Sequence, residues 1–433
     1  MTQLEKADRS TGGPRASSLR RDFGLLWTGQ SLSLFGDQFM VLALPLMSVT
    51  VLGVSPAKAA LVNFALYLPF LPLGLPAGAI VDRLPRRLTM MTANALQFVC
   101  FGLVWLLAAL DGLSFPLLIG LVLLSGCGVV FFQVAYTSYL PSMYDDEAAL
   151  GKANARLALT ESSAQSVGPM IAGPAIALFS AIGVIALNTI SFAMSLLTIG
   201  MIRHREAPRQ PAPRERGWIR RGVMEGLRFV SGHPMLNPIV LCGTTYALFL
   251  TMVETSLVLY CRNVLGLSPG WIGVVVGAAA LGYPVGNLLS TRLSARFGTP
   301  RALALSATVS VAGIVSMPAL GAFGGVTGAC GLVLGSIVHC AGEGSYSPTS
   351  LTLRQTLSPP ELLGRVGSVQ RFLMWGVISV GSLLASGATA LWGLTGAMWI
   401  GALGTIACLP LLLRRGMRTA VLTPATTVAQ GEL

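Results

Sequence analysis

Gly78-Ala79-Ile80-Val81-Asp82-Arg83-Leu84-Pro85-Arg86-Arg87 stands between two long apolar runs. Three arginines and a carboxylate fall within six residues, after a stretch that is nearly charge-free. A charged segment this short, placed between apolar runs, reads as a tight loop at a membrane face. Its glycine, one turn before the acid, suits a mechanical joint between two helices.

The surrounding composition fits that placement. Of 433 residues, 53% are hydrophobic and 11% charged, and the mean hydropathy is +0.71. Soluble domains carry roughly 25% charged residues. The chain therefore reads as an all-α polytopic membrane protein. The seven cysteines are scattered singly through apolar runs, with neither a CxxC nor a His/Cys cluster, so they read as small packing residues and no metal is expected. The polar N-terminus lacks a short apolar core with a cleavage site, which argues against a removable signal.

About 20 apolar residues span a bilayer as a helix. Twelve such spans are expected, at 23–52, 56–81, 88–110, 114–141, 150–179, 181–202, 236–262, 268–294, 300–322, 325–352, 363–390 and 392–413. They form two six-helix bundles, 23–202 and 236–413, between tails 1–22 and 414–433. Of the 29 basic residues, all but Lys58 and Arg262 fall on one side. The positive-inside rule then places both termini in the cytoplasm of a cell-membrane protein. The net charge of +12 is thus topological, and nucleic acid is not an expected partner. The linker 203–235 contains a proline-rich stretch, 207–213, and then a short helix on the cytoplasmic surface.

The bundles repeat. Val51-Leu-Gly-Val-Ser-Pro56 recurs 213 residues on as Val264-Leu-Gly-Leu-Ser-Pro269. The same register carries Arg83 onto Arg296, Pro85 onto Gly298 and Gly168 onto Gly381. With an even number of helices per copy, the repeats are parallel, as in two-halved transporters.

On these residues the chain resembles the major facilitator superfamily of secondary transporters over residues 20–415. The opening stretch is similar to that family's G-x-x-x-D-R-x-G-R-R loop, with Pro85 at a usual glycine. Ala164-Gln-Ser-Val-Gly168-Pro169-Met-Ile-Ala172-Gly173 is similar to the antiporter motif G-x-x-x-G-P-x-x-G-G, with alanine at two glycines. Gly36-Asp37 and Glu225-Gly-Leu-Arg-Phe-Val230 resemble the macrolide-efflux and enterobactin-exporter branch. Helix four lacks the intramembrane arginine of many proton antiporters, and the second loop copy has Ala295 in place of the acid. The resemblance implies a monomer exchanging protons for a small molecule across the lipid bilayer, without a cofactor.

Acids inside a membrane cost roughly 2.5–3.5 kcal/mol at a helix centre. Asp37, Glu254, Glu343 and Glu161 are expected there, with His339 one turn before Glu343; these are the candidates for proton coupling or substrate binding. Glu161 could instead pair with Arg156. Gly78, Asp82, Arg83, Arg86 and Arg87 are expected to latch the halves. In that latch Gly78 lets helices approach, Asp82 faces a helix N-terminus of the other half, and the arginines pair with Asp145, Asp146 or Glu147. Gly168, Pro169, Gly173 and Pro174 form a hinge in helix five, expected to seal the cytoplasmic side of the cavity. Aromatics such as Tyr67, Tyr246, Tyr346 and Trp375 could stack on a large amphipathic ligand. An enzyme is disfavoured: there are only three histidines, two of them outside the spans, and no P-loop. A proton-coupled exporter of an amphipathic organic compound (an antibiotic, drug or siderophore) is the leading expectation. An importer or facilitator of a small organic solute is the alternative.

Overall fold

Lipid offers the backbone no hydrogen bonds, so each apolar run must satisfy its own amides within a helix. The computed structural model describes residues 14–412 apart from 75, 82, 145, 205 and 207–217. Asp82, most of both tails and the proline-rich linker stretch lie outside the described residues. Among those described there is no strand.

Among the described residues, ten helices are long and apolar enough to cross a membrane. Two of them are hairpins: Glu147–Met201 reverses at Ser180, and Pro360–Thr405 reverses at Gly393. Counting both arms gives twelve spans. Span one is Pro14–Thr50. Span two runs in three pieces, Pro56–Tyr67, Phe70–Leu73 and Pro76–Val81. Spans three and four are Arg86–Ala109 and Phe115–Ser142. Spans five and six are the arms of the first hairpin. Spans seven to ten are Leu236–Asn263, Pro269–Phe297, Thr299–Gly321 and Gly325–Leu357. Spans eleven and twelve are the arms of the second hairpin. The helix Trp218–Gly232 lies between span six and span seven.

The repeat is written into the backbone. Gly53 and Gly266 both turn with positive φ, 63° and 65°. Asp111 and Gly324 do so at 54° and 71°, and Ser180 and Gly393 at 65° and 70°. Each pair is 213 residues apart. The left-handed conformation is inexpensive for glycine and unusual for other residues. Asp111 and Ser180 holding it shows that the turn geometry belongs to the repeat and not to the residue. The loop at Pro85 breaks the pattern: Pro85 has φ −60°, its counterpart Gly298 has φ 78°.

These six turns lie at one end of the bundle. The loop containing Arg83, Arg86 and Arg87 lies at the other, called here the arginine-rich end. Glycines set the closest helix contacts. A Cβ at Gly168 would stand 2.6 Å from Gln38 Cβ, and one at Gly381 would stand 2.9 Å from Thr251 Cβ. Gln38 and Thr251 are themselves repeat partners, so spans five and eleven pack on spans one and seven in the same way.

Candidate functional site

The two halves meet along two seams near the turn end. In the first, span five presses on span eight. A Cβ at Gly173 would stand 3.1 Å from the Cα atoms of Gly270 and Gly273, and would collide with the Pro269 carbonyl. A Cβ at Gly273 would stand 2.7 Å from the Pro169 carbonyl. In the second, span two meets span eleven through polar contacts. Asn63 Nδ2 donates to Ser382 Oγ at 2.7 Å and to Thr255 Oγ1 at 3.2 Å, and Ser386 Oγ donates to the Ala57 carbonyl at 2.7 Å. Gly173 and Ser386 are repeat partners. One seam is thus sealed by bare backbone and its counterpart by hydrogen bonds.

This corrects one expectation. The Gly-Pro segment of span five does not seal the arginine-rich end. Gly173 lies two turns from Ser180 and closes the opposite end. The reason is geometric: the bare glycine faces of spans five and eight that allow this approach both lie near the turns.

Between the seams and the arginine-rich end, the interior acids gather. Asp37 and Glu254 are exposed to the space between the bundles, although protein surrounds them. Tyr67 of span two neighbours both carboxylates. Glu254 and Glu343 are neighbours in turn, and Tyr246 adjoins both. Asn188 of span six is the polar neighbour of Asp37; its Oδ1 accepts from Ser191 Oγ at 3.0 Å. Gly36 explains how Asn188 gets there, because any Cβ at Gly36 would collide with Asn188 Oδ1. Aromatics line the boundary between the halves: Phe70 stacks on Trp375 with centroids 4.9 Å apart, and Tyr67 lies 5.9 Å from the same indole. Glu161 is apart, exposed beside Tyr136. Its supposed partner Arg156 instead lies 5.1 Å over the Trp27 ring, whose Nε1 donates to Thr160 Oγ1 at 2.9 Å.

The span-ten candidates form a tighter group. His339 Nε2 is 3.5 Å from Glu343 Oε2, and Cys340 joins them with all ligand atoms within 4.8 Å of one another. The expectation that the chain holds no His/Cys grouping is therefore corrected. Positions i, i+1 and i+4 share one side of a helix, a signal present in the sequence as His339-Cys340-x-x-Glu343.

At the arginine-rich end Arg86 and Arg87 bind carbonyls of their own bundle. Arg86 donates to the Ser138 carbonyl at 2.6 Å, and its guanidinium lies 3.7 Å from Glu206. Glu206 also accepts from the Arg86 amide at 2.9 Å, at the first turn of span three. Arg87 donates to the Ile199 carbonyl at 3.0 Å and to that of Gly200. Guanidinium groups thus cap the ends of spans four and six, where the helix carbonyls lack partners. Arg83 is exposed. Gly78 has open space where a Cβ would go, so it brings no helices together in this conformation. The halves press together at the turn end, and Gly78 is at the other.

Residues 26–379 match the family described as Major Facilitator Superfamily. The chain belongs to that superfamily. It is a multi-pass membrane transporter, of a fold class that moves small molecules across the lipid bilayer and is not in general enzymatic. It is 26% identical over 365 residues to the multidrug efflux pump Tap of Mycolicibacterium fortuitum, covering 81% of this chain and 85% of that one. It is 25% identical over 411 residues to the uncharacterized MFS-type transporter YfiS of Bacillus subtilis, covering 92% of each. Among solved structures, a bacterial homologue of the iron transporter ferroportin, in its inward-facing state, superposes with TM-score 0.71 at 16% identity. That match covers 91% of this chain and 98% of the other. The likeness is one of fold.

Sequence reasoning missed Asn63, Thr255 and Ser382 in the polar seam, and Gly273 in the bare one. Gly270-Trp-Ile-Gly273-Val-Val-Val-Gly277 carried the signal, since small residues at helical spacing mark close packing in membranes.

Proposed function

We propose that this chain is a proton-coupled secondary transporter that exports an amphipathic organic compound, of the antibiotic, drug or siderophore class, by alternating access. The arginine-rich end faces the cytoplasm of a cell-membrane protein, which puts both termini inside, and the monomer is the working unit. The observation that carries this reading is the pair Asp37 and Glu254. They supply one carboxyl from each half, both reach the shared interior space, and among the described residues neither has a cationic partner. Such a group binds a proton from one side and gives it to the other, or exchanges it for a cationic part of the ligand. The aromatic wall of Tyr67, Phe70 and Trp375 suits the apolar part of such a ligand. The relatedness to a multidrug efflux pump supports the export direction.

In this reading the turn end is the outer end, and its two closed seams describe a cavity shut from outside. Asp82 serves in the latch that closes the opposite end when the cavity turns outward, and the Gly-Pro segment of span five lets the outer seam part. The test is a susceptibility and efflux panel in a pump-deficient host, with and without a protonophore. Protonophore-sensitive extrusion supports the reading. Energised accumulation inside the cell would instead make the chain an importer.

A further inference from the structure

Span ten places three different donor atoms together, and a hydrogen-bond network holds the imidazole from its other side. Ser310 Oγ donates to the His339 carbonyl at 3.0 Å. In that arrangement its oxygen, 2.9 Å from His339 Nδ1, is the acceptor there. Tyr246 completes the set: its hydroxyl is 2.6 Å from Ser310 Oγ and 2.8 Å from the same Nδ1. With the Ser310 hydrogen on the His339 carbonyl and that of Tyr246 on Ser310 Oγ, the imidazole hydrogen sits on Nδ1 and the Nε2 lone pair faces Glu343 Oε2, 3.5 Å away, an arrangement that a cation between them would complete.

We propose that His339, Cys340 and Glu343 form a binding site for a borderline divalent cation of the zinc class, with Tyr246 and Ser310 as the residues that orient the imidazole. Imidazole nitrogen, thiolate sulfur and carboxylate oxygen are the donors such ions take, whereas calcium and magnesium prefer oxygen alone. Histidine ligands characteristically hydrogen-bond through their other nitrogen, as His339 does here. Three protein donors leave a fourth position for water.

The surroundings supply further donors. Glu343 lines a small cavity of about 20 Å³ together with Cys242, Tyr246, Ser310, Tyr346 and Cys408. The thiols of Cys242 and Cys408 contact each other there. They come from the arginine-rich ends of spans seven and twelve, which puts a second pair of soft donors on that side of the site. The site does not depend on what the transporter carries.

The experiment uses the purified full chain in detergent, loaded with Cd²⁺ as the spectroscopic stand-in for Zn²⁺ and then desalted. Retained metal is measured by elemental analysis, and thiolate ligation by ultraviolet charge-transfer absorption. A Cys242→Ser/Cys408→Ser background isolates the proposed site. In it about one equivalent of metal and a cadmium–thiolate band are expected; adding Cys340→Ser removes the band. Ser310→Ala keeps every ligand but frees the imidazole, and should weaken affinity roughly 10–100-fold with the band intact, which keeps the proposal testable where Cys340→Ser fails to fold. No retained metal in the background protein, which would mean that only a proton bridges His339 and Glu343, overturns the proposal. So does a band that survives Cys340→Ser, or an affinity unchanged by Ser310→Ala.

Discussion

Gly173 and Gly273 meet backbone to backbone across the two halves, each leaving no room for a side chain on the other. Because the contact joins span five to span eight near the turns, it must part whenever that end opens. A leucine at either position fills the seam. Overpacking a close contact costs roughly 1–3 kcal/mol, enough to bias the population between states about tenfold or more. Gly273→Leu should therefore slow transport by about that factor while the protein still folds and inserts; a transport rate normalised to membrane protein level checks it.

The opposite seam makes a different prediction. Asn63 ties Ser382 and Thr255 together across the boundary between the halves. Interhelical hydrogen bonds in membranes average about 0.6 kcal/mol and reach about 1.7 kcal/mol. A double-mutant cycle of Asn63→Ala with Ser382→Ala, read by thermal unfolding in detergent, should return a coupling in that range. A coupling of zero would remove the polar seam.

Gly36 is expected to be intolerant for a reason unconnected with proton chemistry. Alanine there collides with the Asn188 carboxamide and approaches Ser191. Gly36→Ala should lower thermal stability, because its neighbour Asn188 is fully buried and has little room to move. An unchanged midpoint would show that the Asn188 side chain is not held where it is described.

Arg87 and Asp82 should separate stability from transport. Hydrogen bonds to charged groups are worth about 1.5–3 kcal/mol, and Arg87 makes two to the end of span six. Arg87→Ala should lower thermal stability. Asp82→Asn should leave expression and folding intact and abolish transport. Normal transport by that variant would dispose of the latch.

Much of the fold was legible because the membrane imposes it. Span lengths, charge sidedness and the 213-residue register all follow from the sequence, and the register reappears in the φ angles of Ser180 and Gly393. What the sequence hid was which face each residue presents. Arg86 and Arg87 read as partners for nearby carboxylates; that they also cap helix ends was hidden, because carbonyls at the ends of spans four and six leave no trace in residue identity. Gly173 was legible as part of a hinge, but which end it closes depends on where Gly273 lies, 100 residues away in the chain. His339 and Glu343 were already one turn apart in the sequence reading, but Cys340 beside them was passed over as a packing cysteine.

Asp37 carries the central claim. The most direct measurement is substrate-driven proton movement in proteoliposomes under an imposed pH gradient, comparing the unaltered chain with Asp37→Asn and Glu254→Gln. The account predicts that proton flux accompanies substrate in the unaltered protein, and that Asp37→Asn binds substrate but no longer couples it to protons. Proton-driven accumulation persisting in both variants would contradict it and move the coupling to another part of the molecule.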